Sequence, residues 1–300
     1  FAFLIWDIKK KEAFAARDPY GIKPLYIGSN SKGVILASQV KAILATKQIK
    51  GDKDLNSEFS FKNFGYVIEP NTWYEKIKSL KPGHLIIIKD NKIVTEKKWY
   101  HLGDTWITAD KNKQKISKKV CTENINKFVS DSIKKHLVSD VPIGVFLSGG
   151  VDSSLVAAIA SLNSEQTITA ITVLFDDFKN TNNDETYVAE KLCKKLGLRH
   201  HIFKVTKEDF FADLPKILTA MDQPSIDGIN TWYASKAAAK LNLKVVFSGL
   251  GGDEIFFGYD HYSKIPTLYN YFQIFKKIPF FKKFLGILFN FLSFIKKDLR

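Results

Sequence analysis

The spacing of apolar and polar residues changes character part-way along the chain. From Phe1 to Tyr100, short apolar or alternating runs (FAFLIWDI, PLYIG, GVILAS, HLIIIK, KIVTEKKWY) are separated by the turn signals RDPYG, KPG and KDN. This pattern predicts a strand-rich segment over 1–100, with ASQVKAILAT and DLNSEFSFKNFG as short helices between strands. HLGDTWITADKNKQK, at 101–115, is polar, charged and without period, and is read as a linker. From Ile116 helical and strand runs alternate: ISKKVCTENINKFVSDSIKKHL, IGVFL, SSLVAAIAS, TITAITVLF, DETYVAEKLCKKLG, HHIFKV, KEDFFADLPKILTAM, TWYASKAAAKL and KVVFSG. Alternation of this kind predicts right-handed βαβ units, hence an α/β domain over 116–300 with a parallel sheet and helices on both faces. Asp184 and Glu185 stand where a capping residue and an acidic first turn are expected, ahead of YVAEKL.

The last stretch, YNYFQIFKKIPFFKKFLGILFNFLSFIKK, is rich in phenylalanine with lysines at intervals. Its apolar part is shorter than the ~20 residues a membrane span needs, so no span is expected. It is read as a pair of core helices whose covering residues lie beyond Arg300, in preference to an amphipathic helix lying on a membrane. Phe1 opens inside an apolar strand pattern and the single methionine is Met221, so the natural protein is expected to extend at both ends.

Among 300 residues, 45% hydrophobic content supplies packed cores for one large or two ordinary domains. The net charge of +14 comes from 45 basic residues, of which only Arg17, Arg199 and Arg300 are arginine. Proteins that read nucleic acid favour arginine for bidentate contacts, and no zinc, stacking or basic-helix signature accompanies the lysines, so no nucleic-acid partner is expected. Cys121 and Cys193 form no C-x-x-C pattern, which fits a reducing cytoplasm and gives neither a disulfide framework nor a zinc site. Both are read as small buried hydrophobes, and His84, His200 and His201 as strand residues. Arg17 and Asp18 are expected to hold a turn together.

Two segments then invite a chemical reading. VFLSGGVDSS over 145–154 and VVFSGLGGDE over 245–254 each run an apolar strand into Ser-Gly and, soon after, an acidic residue. Open parallel sheets bind ligands outside the carboxyl ends of their strands, so the two loops are read as halves of one site. In the first, glycines turn backbone N–H groups outward and the helix that follows presents its positive end, a phosphate cradle. Asp152 would repel a bare phosphate and fits only if a divalent cation bridges it to the phosphate oxygens; Asp253 and Glu254 fit the same logic. Neither G-x-x-x-x-G-K-[ST] nor G-x-G-x-x-G is present, and the bland alternative is a pair of ordinary turns.

SGGVDSS resembles the pyrophosphate-binding loop of the N-type ATP pyrophosphatases. With SDVPIGVF before it and SGLGGDEIFFGY after it, the chain is similar to the glutamine-hydrolysing asparagine synthetase family. FAFLIWD, ARDPYGIKPLYIG and ASQVKAI resemble the second half of that family's glutaminase domain, so the similarity runs to about Tyr262. The resemblance implies a ligase that uses ATP and Mg²⁺ to adenylate a carboxylate, releases pyrophosphate, and amidates the product with ammonia from glutamine. It implies that Ser148, Gly149, Gly150, Asp152 and Ser153 hold the pyrophosphate, and that Asp152 and Asp253 hold the metal. Leu147, Val173, Ser248 and Gly249 would border the adenosine and α-phosphate. Partners would be glutamine or ammonia and a carboxylate acceptor, and a homodimer is compatible with the family.

One departure concerns the acceptor. Asparagine-forming members carry glutamate after the second Ser-Gly, whereas this chain has Leu250, and DQPSIDGINTWYASKAA also departs from their pattern. Asp222 or Asp227 in MDQPSIDG could take over the glutamate's role; otherwise the acceptor is a different carboxylate, such as a sugar acid. The family's amino-terminal catalytic cysteine is matched by neither Cys121 nor Cys193. A nucleotide-binding regulator without turnover is the alternative from another class, and a tRNA-modifying pyrophosphatase relative is a third.

Overall fold

The structure, a computed structural model, describes residues 1–181 and 184–275. They fall into two compact units that do not follow chain order: one joins Phe1–Val138 with 173–184 and 202–244, the other joins 139–172 with 185–201 and the chain from Val245 on.

The first unit opens with β1 (Ala2–Asp7), β2 (Glu12–Arg17), β3 (Tyr26–Asn30), β4 (Gly33–Ala37), α1 (Val40–Ala45) and α2 (Leu55–Phe64). It continues through β5 (Ile77–Ser79), β6 (His84–Lys89), β7 (Lys92–Lys98), α3 (Leu102–Lys111) and α4 (Lys118–His136). Two sheets result, ordered β1-β2-β6-β7 and β4-β3-β5. All strand pairs of the first sheet are antiparallel. The KDN signal works as expected, because Asp90 and Asn91 both take left-handed backbone (φ 49° and 61°) between β6 and β7. Ala13, Ala15, Leu25, Leu80, Ile86 and Ile88 form one core cluster; Val40, Ile43, Ile49 and Ile77 form a second. Asp54 caps α2 through the N–H groups of Asn56 and Ser57, and Gly65 closes it at φ 79°.

The turn reading of Arg17 and Asp18 holds. Buried Arg17 donates to the carbonyls of Leu80 (2.7 Å), Gly21 (2.9 Å) and Lys23 (2.9 Å) and to both oxygens of Glu69. Burial would raise the Asp18 carboxyl, but the N–H groups of Lys23, Ile22 and Tyr20 outweigh it and hold it below the usual carboxylate range. A lowered carboxyl stabilises the fold above its ordinary titration range and loses that contribution as pH falls through its lowered value.

The segment read as an irregular linker is in large part helical. α3 occupies Leu102–Lys111 with no buried residue, and is supported by the Thr108 hydroxyl on the Asp104 carbonyl (2.8 Å) and by the Lys98–Asp104 ion pair (2.7 Å). A helix that buries no stripe imposes no apolar period on its sequence, so its pattern resembles that of a linker.

The α/β part comprises β8 (Ile143–Phe146), α5 (Val151–Asn163), β9 (Thr169–Phe175), α6 (Thr186–Leu196), β10 (Arg199–Val205), α7 (Lys207–Ala220), α8 (Gly228–Lys240), β11 (Val245–Phe247), α9 (Gly252–Phe256) and α10 (Asp260–Phe275). Its sheet has the order β10-β9-β8-β11, with β8 parallel to both β9 and β11. The two Ser-Gly loops therefore leave the carboxyl ends of adjacent strands. Glu185, and not Asp184, is the N-cap of α6, and its side chain makes no capping bond; Asp184 accepts the N–H of Asn180 instead. Most of the helix pair expected from Tyr269 on lies outside the described residues. No helix among the described residues is long and apolar enough to cross a membrane.

Candidate functional site

The first loop links β8 to α5. Leu147 is sealed in the core (2% exposed), its N–H on the Ile171 carbonyl (2.8 Å) and its own carbonyl accepting from the Thr172 hydroxyl (2.7 Å). It anchors the loop from below. Buried Ser153 folds the loop over itself: its Oγ accepts the Ser148 N–H (3.2 Å), lies 2.8 Å from Ser148 Oγ, and has the Ser148 and Gly150 carbonyls at 3.2 and 3.3 Å. Ser148 Oγ in turn accepts the Gly150 N–H at 3.2 Å. The loop is thus shaped before any ligand arrives, with Gly150 as N-cap of α5 and Asp152 in its first turn. A methyl group on Gly149 would meet Glu185 Cβ at 3.3 Å, so Glu185 stands beside the cradle. That neighbour comes from a different element and carries no motif of its own.

The second loop, after β11, packs directly on the first. A Cβ at Gly249 would lie 2.7 Å from the Ser153 nitrogen and 3.1 Å from the Asp152 carbonyl carbon, both backbone atoms. At Gly252 it would run into the Asp152 carboxylate itself. Gly251 is left-handed at φ 96°, a conformation a side chain would strain. Glycine at 249 and 252 is therefore what lets Asp152 and Asp253 share one place, and the expected convergence of the two loops is found.

The electrostatics there are those of crowded acids. Burial raises the Asp152 carboxyl first, and the charges of Asp253 and Glu254 raise it further, against an opposing hydrogen bond from the Asp253 N–H. Glu254 accepts from the Tyr259 hydroxyl (2.8 Å), and this bond, with burial and nearby acids, pushes Tyr259 up to about 12. Two half-buried acids, Asp152 and Asp253, beside a phosphate-type loop suit a cation bound between them and a phosphate. Among the described residues no group of three or more His, Cys, Asp or Glu is placed to hold a metal ion.

Other expected site residues sit differently. Ser248 is exposed, its Oγ accepting the Leu250 N–H (3.2 Å), and Leu250 is 90% exposed. Val173 packs, partly buried, with Val205, Ile217 and Tyr233. Asp222 is not available to replace a glutamate: its carboxylate accepts the Val40 N–H (2.6 Å) and the Lys41 N–H (3.0 Å). Asp227 is exposed at the N-cap of α8. Cys193 is buried, and burial first, then Glu190, pushes its thiol up to about 11; Cys121 is half-buried.

Both parts of the chain have counterparts among known proteins. The model for asparagine synthase matches residues 124–294, and that for a glutamine amidotransferase domain matches 1–100. The chain belongs to the asparagine synthase family. It is 30% identical over 282 residues to the glutamine-hydrolyzing asparagine synthetase 1 of Bacillus subtilis, covering 93% of this chain and 42% of that protein. Against asparagine synthetase 3 of the same organism it is 28% identical over 274 residues, 86% of this chain and 43% of the relative. The amidase chry2 of Gibberella zeae is 27% identical over 280 residues, 87% of this chain and 40% of its own length. The chain therefore spans about two fifths of these relatives.

Proposed function

We propose that the complete protein is an ATP-dependent amidotransferase. A carboxylate oxygen of the acceptor attacks the α-phosphorus of ATP and pyrophosphate leaves. Ammonia from glutamine then attacks the acyl carbon, AMP departs with the former carboxylate oxygen, and a proton is released. The observation that carries this reading is the backbone contact of Gly249 with Asp152 and Ser153, which joins a phosphate-type loop to a second acidic loop. Ser148, Gly149, Gly150 and the α5 amino end would hold the pyrophosphate. Ser153 would keep the loop in shape from beneath, and Ser248 and Gly249 would border the α-phosphate. Asp152 and Asp253 would hold Mg²⁺, which supplies positive charge where negative charge grows on the leaving group. Leu147 would support the adenosine side from beneath the first loop. We assign the glutaminase part to 1–100, the connection to 101–115 and the synthetase part to 116–300. A regulator without turnover has no need of a second acid brought to the phosphate-type loop, so the packing of the Gly249 loop on Asp152 and Ser153 favours catalysis.

The acceptor is a separate question. Leu250, almost fully exposed, offers no carboxylate where the resemblance gives glutamate, and Asp222 is engaged elsewhere. Relatives of similar identity include both asparagine synthetases and the amidase chry2. We infer an acceptor larger than aspartate, with an apolar portion beside Leu250, such as a sugar acid. Full-length enzyme given ATP, Mg²⁺, ammonia and a panel of carboxylates should release pyrophosphate slowly with aspartate and at least tenfold faster with a bulkier acid. Efficient asparagine formation would overturn this choice of acceptor.

A further inference from the structure

Residues 219–226, which run from the end of α7 to the start of α8, are fastened to the front part of the chain inside one compact unit. Asp222 accepts the first two amides of α1, those of Val40 and Lys41, while the helix's own N-cap residue, Gln39, makes no side-chain capping bond. Lys41 answers from α1, its Nζ on the carbonyls of Ala220 (2.9 Å) and Thr219 (3.4 Å) at the end of α7. A carboxylate on a helix amino end and an ammonium on a helix carboxyl end are both favoured by the helix dipoles, so the two bonds act together. Next along the chain, Gln223 Oε1 accepts the Trp73 N–H (2.7 Å) while its Nε2 holds the Asp222 carbonyl (2.8 Å). Ser225 then bridges to Tyr66, and the Ile226 N–H reaches the Gly65 carbonyl (3.0 Å). Gly65, left-handed at φ 79°, would place a Cβ 2.7 Å from Ile226 Cδ1. Apart from the Gln223–Asp222 bond, partners in these side-chain bonds lie 150 to 182 positions apart in sequence.

This junction is made mainly of hydrogen bonds, several of them at helix ends, with Ile226 beside Gly65. Polar junctions between parts of a chain allow relative motion more readily than large apolar ones. α1 is itself locked below by Val40 and Ile43 in the second core cluster, so a shift in that cluster moves the amides that Asp222 holds. Resting on the amidotransferase reading above, we propose that residues 219–226 are a latch that passes the state of the glutamine-hydrolysing part to the loop entering α8, with Asp222 as its positioning residue.

The test uses the full-length protein with Asp222→Ala and, at the other end of the latch, Lys41→Met. With glutamine as donor, pyrophosphate release should fall at least tenfold in Asp222→Ala and several-fold in Lys41→Met. With ammonia it should change less than twofold, and glutamate formed per pyrophosphate should rise. Amide exchange at Val40 and Lys41 should quicken at least tenfold in Asp222→Ala while amides of β6 keep their rates. An equal loss with both donors, as general destabilisation would give, overturns the latch, and so does unchanged exchange at Val40 and Lys41. Wild-type protein inert with either donor would instead overturn the amidotransferase reading, and the exchange measurement would still decide whether Asp222 fastens α1.

Discussion

Replacing Asp152 by asparagine in the full-length protein is expected to lower acceptor-dependent pyrophosphate release by about a hundredfold or more. The substitution keeps size and shape but removes a charge that Asp253 and Glu254 oppose. The Asp152→Asn variant should therefore be as stable as the wild type, or slightly more so, because a repulsion is relieved. Activity and stability should separate: urea unfolding unchanged or shifted upward, turnover lost. Loss of both together would mark Asp152 as a structural residue, and near-normal pyrophosphate release would remove it from the metal site.

Gly249→Ala should be the most damaging small substitution in the second loop. The added methyl would sit 2.7 Å from the Ser153 nitrogen and 3.1 Å from the Asp152 carbonyl carbon. Backbone at the start of α5 cannot rotate away as a side chain can, so the loops must part. Overpacking of this kind costs roughly 1–3 kcal/mol, which the unfolding midpoint would register. ATP affinity should fall at least tenfold, because separating the loops also separates Asp152 from Asp253. A variant with wild-type affinity and midpoint would show that the loops are not held in contact in solution.

Local chemistry is legible where it is written in contiguous residues. β6 and β9 follow from their β-branched runs, the carboxyl-edge loops from apolar strands cut by glycine, and α2 from its Asp cap and Gly stop. β2 escapes such reading because EAFAAR is alanine-rich and lacks the β-branched signal, although it is an inner strand of its sheet with Ala15 fully buried. α3 escapes for the opposite reason, since it buries nothing. At the site, convergence of the loops is legible but the internal bonding of Ser153 is not: a serine that could donate to phosphate also staples Ser148 and Gly150. Glu185 beside Gly149, and Asp222 on α1, depend on tertiary proximity that no local pattern carries.

Activation of a carboxylate by transfer of the adenylyl group of ATP leaves an isotopic record. The full-length enzyme is given whichever carboxylate drives pyrophosphate release most strongly, its carboxyl oxygens labelled with ¹⁸O, and the products are followed by mass spectrometry. AMP and pyrophosphate should form in equal amounts, with one labelled oxygen in the AMP phosphate for each amide made. ADP and phosphate as the products, or AMP without label, would rule adenylyl transfer out.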